Sequence, residues 1–429
     1  MKIKILNASQ ANFNSKLSQF VSFKQANSHL IEQNVQKILD HVERKGDNGL
    51  RKFIKQYDKT SYKKISDSLV TIKEIKAAYS SVSKKTLSSL KQAMRNIKKF
   101  SNNQKLTSWH INIKGSKIGE KVVPIENVGI YVPGGKASYP STVLMNAIPA
   151  KIAGVKNIVM TCPPINGKLN PLVLVAADLC GVNKIFKFGG AHAIAALAFG
   201  TKTIKAVDKI VGPGNIYVAT AKKKVFGKVG IDSFAGPSEV LIIADKNTNP
   251  ELIATDMFAQ AEHDELAQAI LLSNSDKLIS DVNKQIDKLL THQTRKDIIK
   301  KSLTSRGLFI KANTIQNIVE IADNIAPEHL EIFGYERYKL EDKIRNAGAI
   351  FIGENSPEVF GDYCAGPNHV LPTNGSAKYA SPLGVYDFLK RTSLMKISKS
   401  HSKELAEIAS ELADCEGLNS HSNSAKLRK

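Results

Sequence analysis

Val207–Lys222 reads V-D-K-I-V-G-P-G-N-I-Y-V-A-T-A-K, and Ile231–Asp245 reads I-D-S-F-A-G-P-S-E-V-L-I-I-A-D. Each segment sets a β-branched apolar run against a glycine–proline turn, Gly212-Pro213-Gly214 in the first and Gly236-Pro237 in the second. Glycine lets the backbone turn tightly and come close to a bound molecule, while Asn215 and Ser238 place small polar groups beside the turns, so both turns are expected to face a ligand. The chain before this stretch reads as one αβ unit and the chain after it as another.

From Lys121, short β-branched runs alternate with helix-length segments, the rhythm of a parallel sheet with crossover helices. Val128–Val132 runs into Pro133-Gly134-Gly135, Asn157–Thr161 into Pro163-Pro164, Lys184–Phe188 into Gly189-Gly190, and Lys209–Val211 into Gly212-Pro213-Gly214. In an open α/β sheet the ligand crevice lies outside the carboxyl ends of the strands, so these four turns should line one edge. A pyrophosphate would suit the helix N-termini there, although the G-x-G-x-x-G fingerprint is absent. A second set follows Glu239–Ala244: a helix from Asn249, strands at 267–272, 307–310 and 349–352, and a helix at 314–324. The N-terminal third reads as helices, with capping-box spacing at Thr71 and Glu74 and one buried face through Leu87, Leu90, Met94 and Ile97. Residues 101–119 look irregular. A final helix at about 402–416 carries Leu405, Ile408 and Leu412 on one face, with Gly417 closing it.

A chain of 429 residues is too long for one ordinary core,. No run of about 18 apolar residues spans a bilayer and the start lacks a secretory pattern, so a cytoplasmic protein without membrane contact is expected. The cysteines, Cys162, Cys180, Cys364 and Cys415, have no C-x-x-C spacing and are expected as free thiols. The formal charge of +22 comes from lysines scattered in short groups such as Lys222–Lys224, and the single tryptophan is Trp109. That pattern reads as a solvated basic surface, with no nucleic acid as partner.

The candidate chemistry lies after Ser238. On the helix from Asn249, Ile253 and Met257 define a buried stripe that Gln260 and His263 continue, with Asp256 on nearly the same face. Taken alone, this pair is better read as a hydrogen-bonded core histidine; it also suits one ion. Asp362 with His369, and Glu416 with His421, repeat the pairing of carboxylate and imidazole, against bland readings as a turn cap and a mobile tail. Ala326-Pro327-Glu328-His329 resembles a helix start, on which neighbouring side chains point about 100° apart and could serve two acid/base roles.

V-D-K-I-V-G-P-G-N, I-D-S-F-A-G-P-S-E-V-L-I-I-A-D, A-Q-A-E-H-D, I-A-P-E-H-L-E, G-D-Y-C-A-G-P-N-H-V-L-P-T, S-P-L-G-V-Y-D-F-L-K-R-T-S and E-G-L-N-S-H, in this order, resemble the successive motifs of the histidinol dehydrogenases. The resemblance runs from about residue 32 to residue 421. It implies an α/β fold of two Rossmann-like domains with parallel sheets, plus small helical N- and C-terminal extensions involved in dimerisation. The implied boundaries are residues 1–23 for the N-terminal extension, 24–130 with 238–382 for the zinc and substrate domain, 131–237 for the NAD domain, and 383–429 for the C-terminal extension. It further implies oxidation of L-histidinol through the aldehyde to L-histidine by two NAD, the last steps of histidine biosynthesis.

By motif, Glu328 and His329 would be catalytic. One zinc per subunit would be held by Gln260, His263, Asp362 and His421, the last supplied by the other subunit of a homodimer that shares its active sites. Ser238, His369 and Glu416, with His329 and the metal positions, would hold the substrate, and Tyr131, His192 and Asn215 would contact NAD. The family has glutamine where this chain has His192; an imidazole can also donate a hydrogen bond. A zinc hydrolase without a nucleotide would leave the four glycine and proline turns unexplained.

Overall fold

The structure, a computed structural model, describes residues 1, 3–22, 28–134, 139–233, 236–335 and 338–429. Strand β1 (Lys4–Asn7) opens the chain. Helices Phe13–Val21, Ser28–Phe53, Ile72–Ser81 and Lys84–Asn102 follow. Thr71 and Glu74 form the expected capping box, and Leu90 and Ile97 are buried with Leu87 and Met94 packed beside them.

Strands β2 (Trp109–Ile113) and β3 (Ser116–Pro124) form a hairpin through Lys114 and Gly115, both at positive φ, the backbone that a tight hairpin turn requires,. The expectation of an irregular 101–119 is therefore corrected. Trp109, Ile111 and Ile113 alternate with His110 and Asn112, a period-two signal,.

Next come β4 (Asn127–Tyr131), β5 (Asn157–Thr161), β6 (Lys184–Phe186), β7 (Lys209–Val211) and β8 (Gly230–Ile231). They pair in parallel in the order β6-β5-β4-β7-β8. Val128 and Ile130 face helices Pro140–Ala153 and Pro171–Leu179, while Ile210 and Tyr131 face helices Gly190–Phe199 and Ile216–Val225 and the N-terminal helix Ser28–Phe53. Both faces are covered, which is why these strands read as continuous apolar runs.

The second parallel sheet consists of β9 (Glu239–Ala244), β10 (Gln268–Ser273), β11 (Gly307–Lys311), β12 (His329–Phe333) and β13 (Ala349–Ile352), joined at its edge by β1. The order is β1-β11-β10-β9-β12-β13. Val240 and Ile242 point to helix Pro250–Ala261, and Leu241 and Ile243 to helix Ile315–Ile325. Both parallel sheets agree with the expected α/β class. The helical terminal extensions each carry a strand as well: β1 in the N-terminal one, and β14 (Leu389–Lys396) before the C-terminal helices Lys399–Cys415 and Asn419–Lys426. β14 pairs antiparallel with β3. All four cysteines are free thiols, and among the described residues no helix is long and apolar enough to cross a membrane.

Candidate active site

Ala326 ends helix Ile315–Ile325 in the left-handed conformation, φ 50°, and Pro327 cannot continue it,. The expected helix start at 327–329 is thus corrected: Pro327 follows a helix end, and His329 is the first residue of β12. That strand lies inside the sheet between β9 and β13, so Glu328 and His329 are fixed just past the helix end and at the amino end of a buried strand, 6% and 3% exposed.

Four elements converge on the His329 ring. Its Nδ1 lies 3.2 Å from the Glu239 carbonyl of neighbouring β9 and 3.1 Å from Gln260 Oε1 on helix Pro250–Ala261. Glu328 Oε2 is 3.8 Å and Glu358 Oε2 3.6 Å from the same nitrogen, and Asp362 Oδ1 is 3.6 Å from Nε2. Glu328 Oε2 accepts the Glu239 N–H at 2.9 Å, which holds the carboxylate beside the imidazole. His369 Nδ1 meets the Asp362 carbonyl at 2.9 Å, and its Nε2 lies 3.5 Å from Thr142 Oγ1 of the first sheet's helix.

So many acids in so little water shift one another. Burial raises Glu328 to about 7, with His329 pulling the other way, and burial with the Glu328 charge raises Glu239 to about 8. Desolvation lowers His329, but Glu328, Glu358 and Asp362 outweigh it and hold the imidazole at about 10. Burial raises Asp362, but the nearby His329 imidazolium outweighs it and brings the carboxyl below the usual range. Behind the ring, burial raises Glu331 to about 8, Asp256 to about 6, and Glu358 well above a normal carboxyl. Asp256 therefore belongs with Glu331 rather than with Gln260 and His263.

Gln260 is fully buried with Nε2 unpartnered, its Oε1 turned toward His329. His263 stands at the exposed C-terminal side of the same helix, within charge range of Asp362. Amide oxygen, imidazole and carboxylate form an N/O set that fits zinc. Among the described residues no group of three His, Cys, Asp or Glu side chains is assembled for a metal, so the fit needs the Gln260 amide and a donor from outside this cluster. Glu416 and His421 do not join it: both are exposed on the terminal helices. Ser238 is half-buried next to Glu239, and its carbonyl accepts the Gln268 N–H at 2.9 Å.

At the edge of the first sheet, the Tyr131 hydroxyl accepts the Gly190 N–H at 3.1 Å, and Asn215 caps helix Ile216–Val225 through Tyr217 and Val218. Gly135 of the first turn lies outside the described residues. The remaining turns pack so closely that a Cβ on Gly134 would sit 2.5 Å from the Pro163 carbonyl and one on Gly212 2.1 Å from the Tyr131 carbonyl. His192 is 1% exposed; its Nε2 lies 2.9 Å from Asp58 Oδ2, and its Nδ1 is buried without a partner.

Sequence reading missed Glu239, Glu331, Glu358 and Asp58. Glu239 and Glu331 carried a signal, since each is a charged residue in an otherwise apolar run destined for a central strand,. Glu358 and Asp58 gave none.

Residues 22–429 match the family model described as histidinol dehydrogenase. The chain is 47% identical over 429 residues to the histidinol dehydrogenase of Nitrosomonas europaea, covering 100% of this chain and 99% of that protein. It is 45% identical to that of Neisseria meningitidis, covering 99% and 100%. The crystal structure of histidinol dehydrogenase from Elizabethkingia anophelis superposes with a TM-score of 0.93 at 35% identity, over 99% of this chain and 98% of the other. The chain therefore belongs to the histidinol dehydrogenases, a family of oxidoreductases.

Proposed function

We propose that this protein oxidises L-histidinol through L-histidinaldehyde to L-histidine with two NAD, on a zinc held by Gln260, His263, Asp362 and the partner subunit's His421. The observation that carries the reading is the adjacent pair Glu328 and His329, two buried acid/base groups 3.8 Å apart and flanked by Gln260 and Asp362. Zinc, when bound, would template the substrate imidazole and amine. Ser238 and His369, with the partner subunit's Glu416, complete the substrate site, and Tyr131, His192 and Asn215 the NAD site.

In the first oxidation the carbinol carbon loses a hydride to NAD, and its hydroxyl proton goes to His329. Glu328 then takes a proton from water as the water oxygen adds to the aldehyde carbon, and the His329 imidazolium returns its proton to the former carbonyl oxygen, which gives the hydrate and frees His329 again. The hydrate loses a second hydride to a second NAD and a hydroxyl proton to His329, and the acid so formed releases its remaining proton to solvent as the carboxylate. With a pKa of about 10 in the bare chain, His329 is protonated near neutrality. A cation held at the Asp362 carboxylate would withdraw one of the charges that hold this proton and shift His329 toward its neutral, proton-accepting form,.

Dimerisation is supported by the terminal helices. Ile408, Leu412 and Leu418 are 53%, 60% and 43% exposed beside Glu416 and His421. The buried face of helix Lys399–Cys415 consists of His401, Ala406, Ser410 and Ala413 instead, which leaves the apolar face for a second subunit,. The test is activity with histidinol and NAD before chelation, after it, and after zinc is returned. Loss and recovery support the reading; full activity without metal refutes the zinc role.

A further inference from the structure

Lys222, which the scattered-lysine reading placed on a solvated surface, is 2% exposed. It reaches from the second turn of helix Ile216–Val225 back under the turn that precedes the helix. Its Nζ donates to the Gly212 carbonyl at 2.9 Å and pairs with Asp232, itself 3% exposed at the side chain. Asp232 Oδ2 accepts the Gly212 N–H at 2.7 Å, and Oδ1 accepts the Ser233 N–H at 2.8 Å. A buried ion pair thus grips one glycine by both its N–H and its C=O.

That glycine is an unusual object to hold. Gly212 has φ 111°, a conformation side-chain-bearing residues avoid, and its α carbon lies against the Tyr131 carbonyl,. Three residues on, Asn215 caps the helix. Any rotation of the Gly212 peptide would move Asn215 and push on Tyr131 together. Buried ion pairs are weak stabilisers, because desolvation cancels most of their attraction; their better-attested use is to select one arrangement among several.

We propose that Lys222 and Asp232 are positioning residues for the coenzyme: they lock the Gly212 turn in the one conformation that presents Asn215 and Tyr131 to NAD. This rests on the coenzyme role given to those two residues above. Neither Lys222 nor Asp232 has a free polar atom to offer the ligand, so the pair acts through the turn.

The experiment compares Lys222→Met, Asp232→Asn, the double variant and Lys222→Arg with the unaltered protein. Three quantities are measured: the dissociation constant for NADH from its fluorescence, that for histidinol, and amide exchange in the peptide spanning 209–216. The proposal requires Lys222→Met to weaken NADH binding about tenfold or more. Exchange in 209–216 must rise, histidinol binding must stay within about twofold, and Lys222→Arg must be milder. If the single variants do not fold, the double variant, which buries no lone charge, carries the same expectations. NADH affinity unchanged despite faster exchange would make the pair merely structural, and unchanged exchange would show that it does not hold the turn; either overturns the proposal. Exchange needs no coenzyme, so an unaltered chain that binds no NADH refutes the coenzyme role itself and the proposal with it.

Discussion

Replacing Glu328 by glutamine should make the protein more stable and less able to complete its reaction. Glu328 is buried, and its pKa is raised from 4.5 to about 7. The folded value lies above the unfolded one, so the fold favours the neutral acid. The stability this gives is full below about pH 4.5, falls as the unfolded chain ionises, and levels off above about pH 7, a loss of about 3 kcal/mol for a shift of this size. Glutamine cannot ionise and keeps an oxygen for the Glu239 N–H. Glu328→Gln should therefore match the unaltered protein near pH 4.5 and exceed it by up to about 3 kcal/mol near pH 8 in urea unfolding. Loss of a positioned base should slow aldehyde oxidation by about 10²–10⁴-fold, with alcohol oxidation less affected. Histidinaldehyde and histidinol supplied separately resolve the two steps. A variant less stable than the parent at about pH 8, or one equally slow in both steps, refutes the reasoning.

His329→Gln should slow both oxidations by about 10²–10⁴-fold with either substrate, since its proton is exchanged in each. Truncation after Gly417 should abolish activity and lower bound zinc, and mixing the truncated chain with Glu328→Gln chains should restore part of the activity if sites are shared between subunits; a fully active truncated enzyme sinks the tail's role. Asp58→Ala should cost about 1–3 kcal/mol in urea unfolding by stranding the buried His192 and the Gly189 N–H, whereas His192→Gln, which keeps a donor, should cost clearly less,.

What the sequence disclosed was local. The strands at Asn157–Thr161, Lys209–Val211, Glu239–Ala244 and Ala349–Ile352, the Asn249 cap and the Thr71 capping box rest on residues within a few positions of each other. The helix misread at Pro327 is a local ambiguity: proline marks the first turn of a helix and the residues past its end equally well. The metal and catalytic candidates were legible as residue types in ordered motifs, and the structure gathers Gln260, Glu328 and Asp362 around the His329 ring, with His369 held to the Asp362 carbonyl. Depth was not legible. Lys222 looks like its neighbours Lys223 and Lys224 until the fold buries it, and the Asp58–His192 contact joins positions 134 residues apart.

The most direct measurement counts NADH against histidinol. With histidinol limiting and NAD in excess, two NADH and one L-histidine should form per histidinol consumed, with no free aldehyde released. One NADH with accumulation of the aldehyde, or no NADH at all, would contradict the assignment of both oxidations to the Glu328–His329 pair.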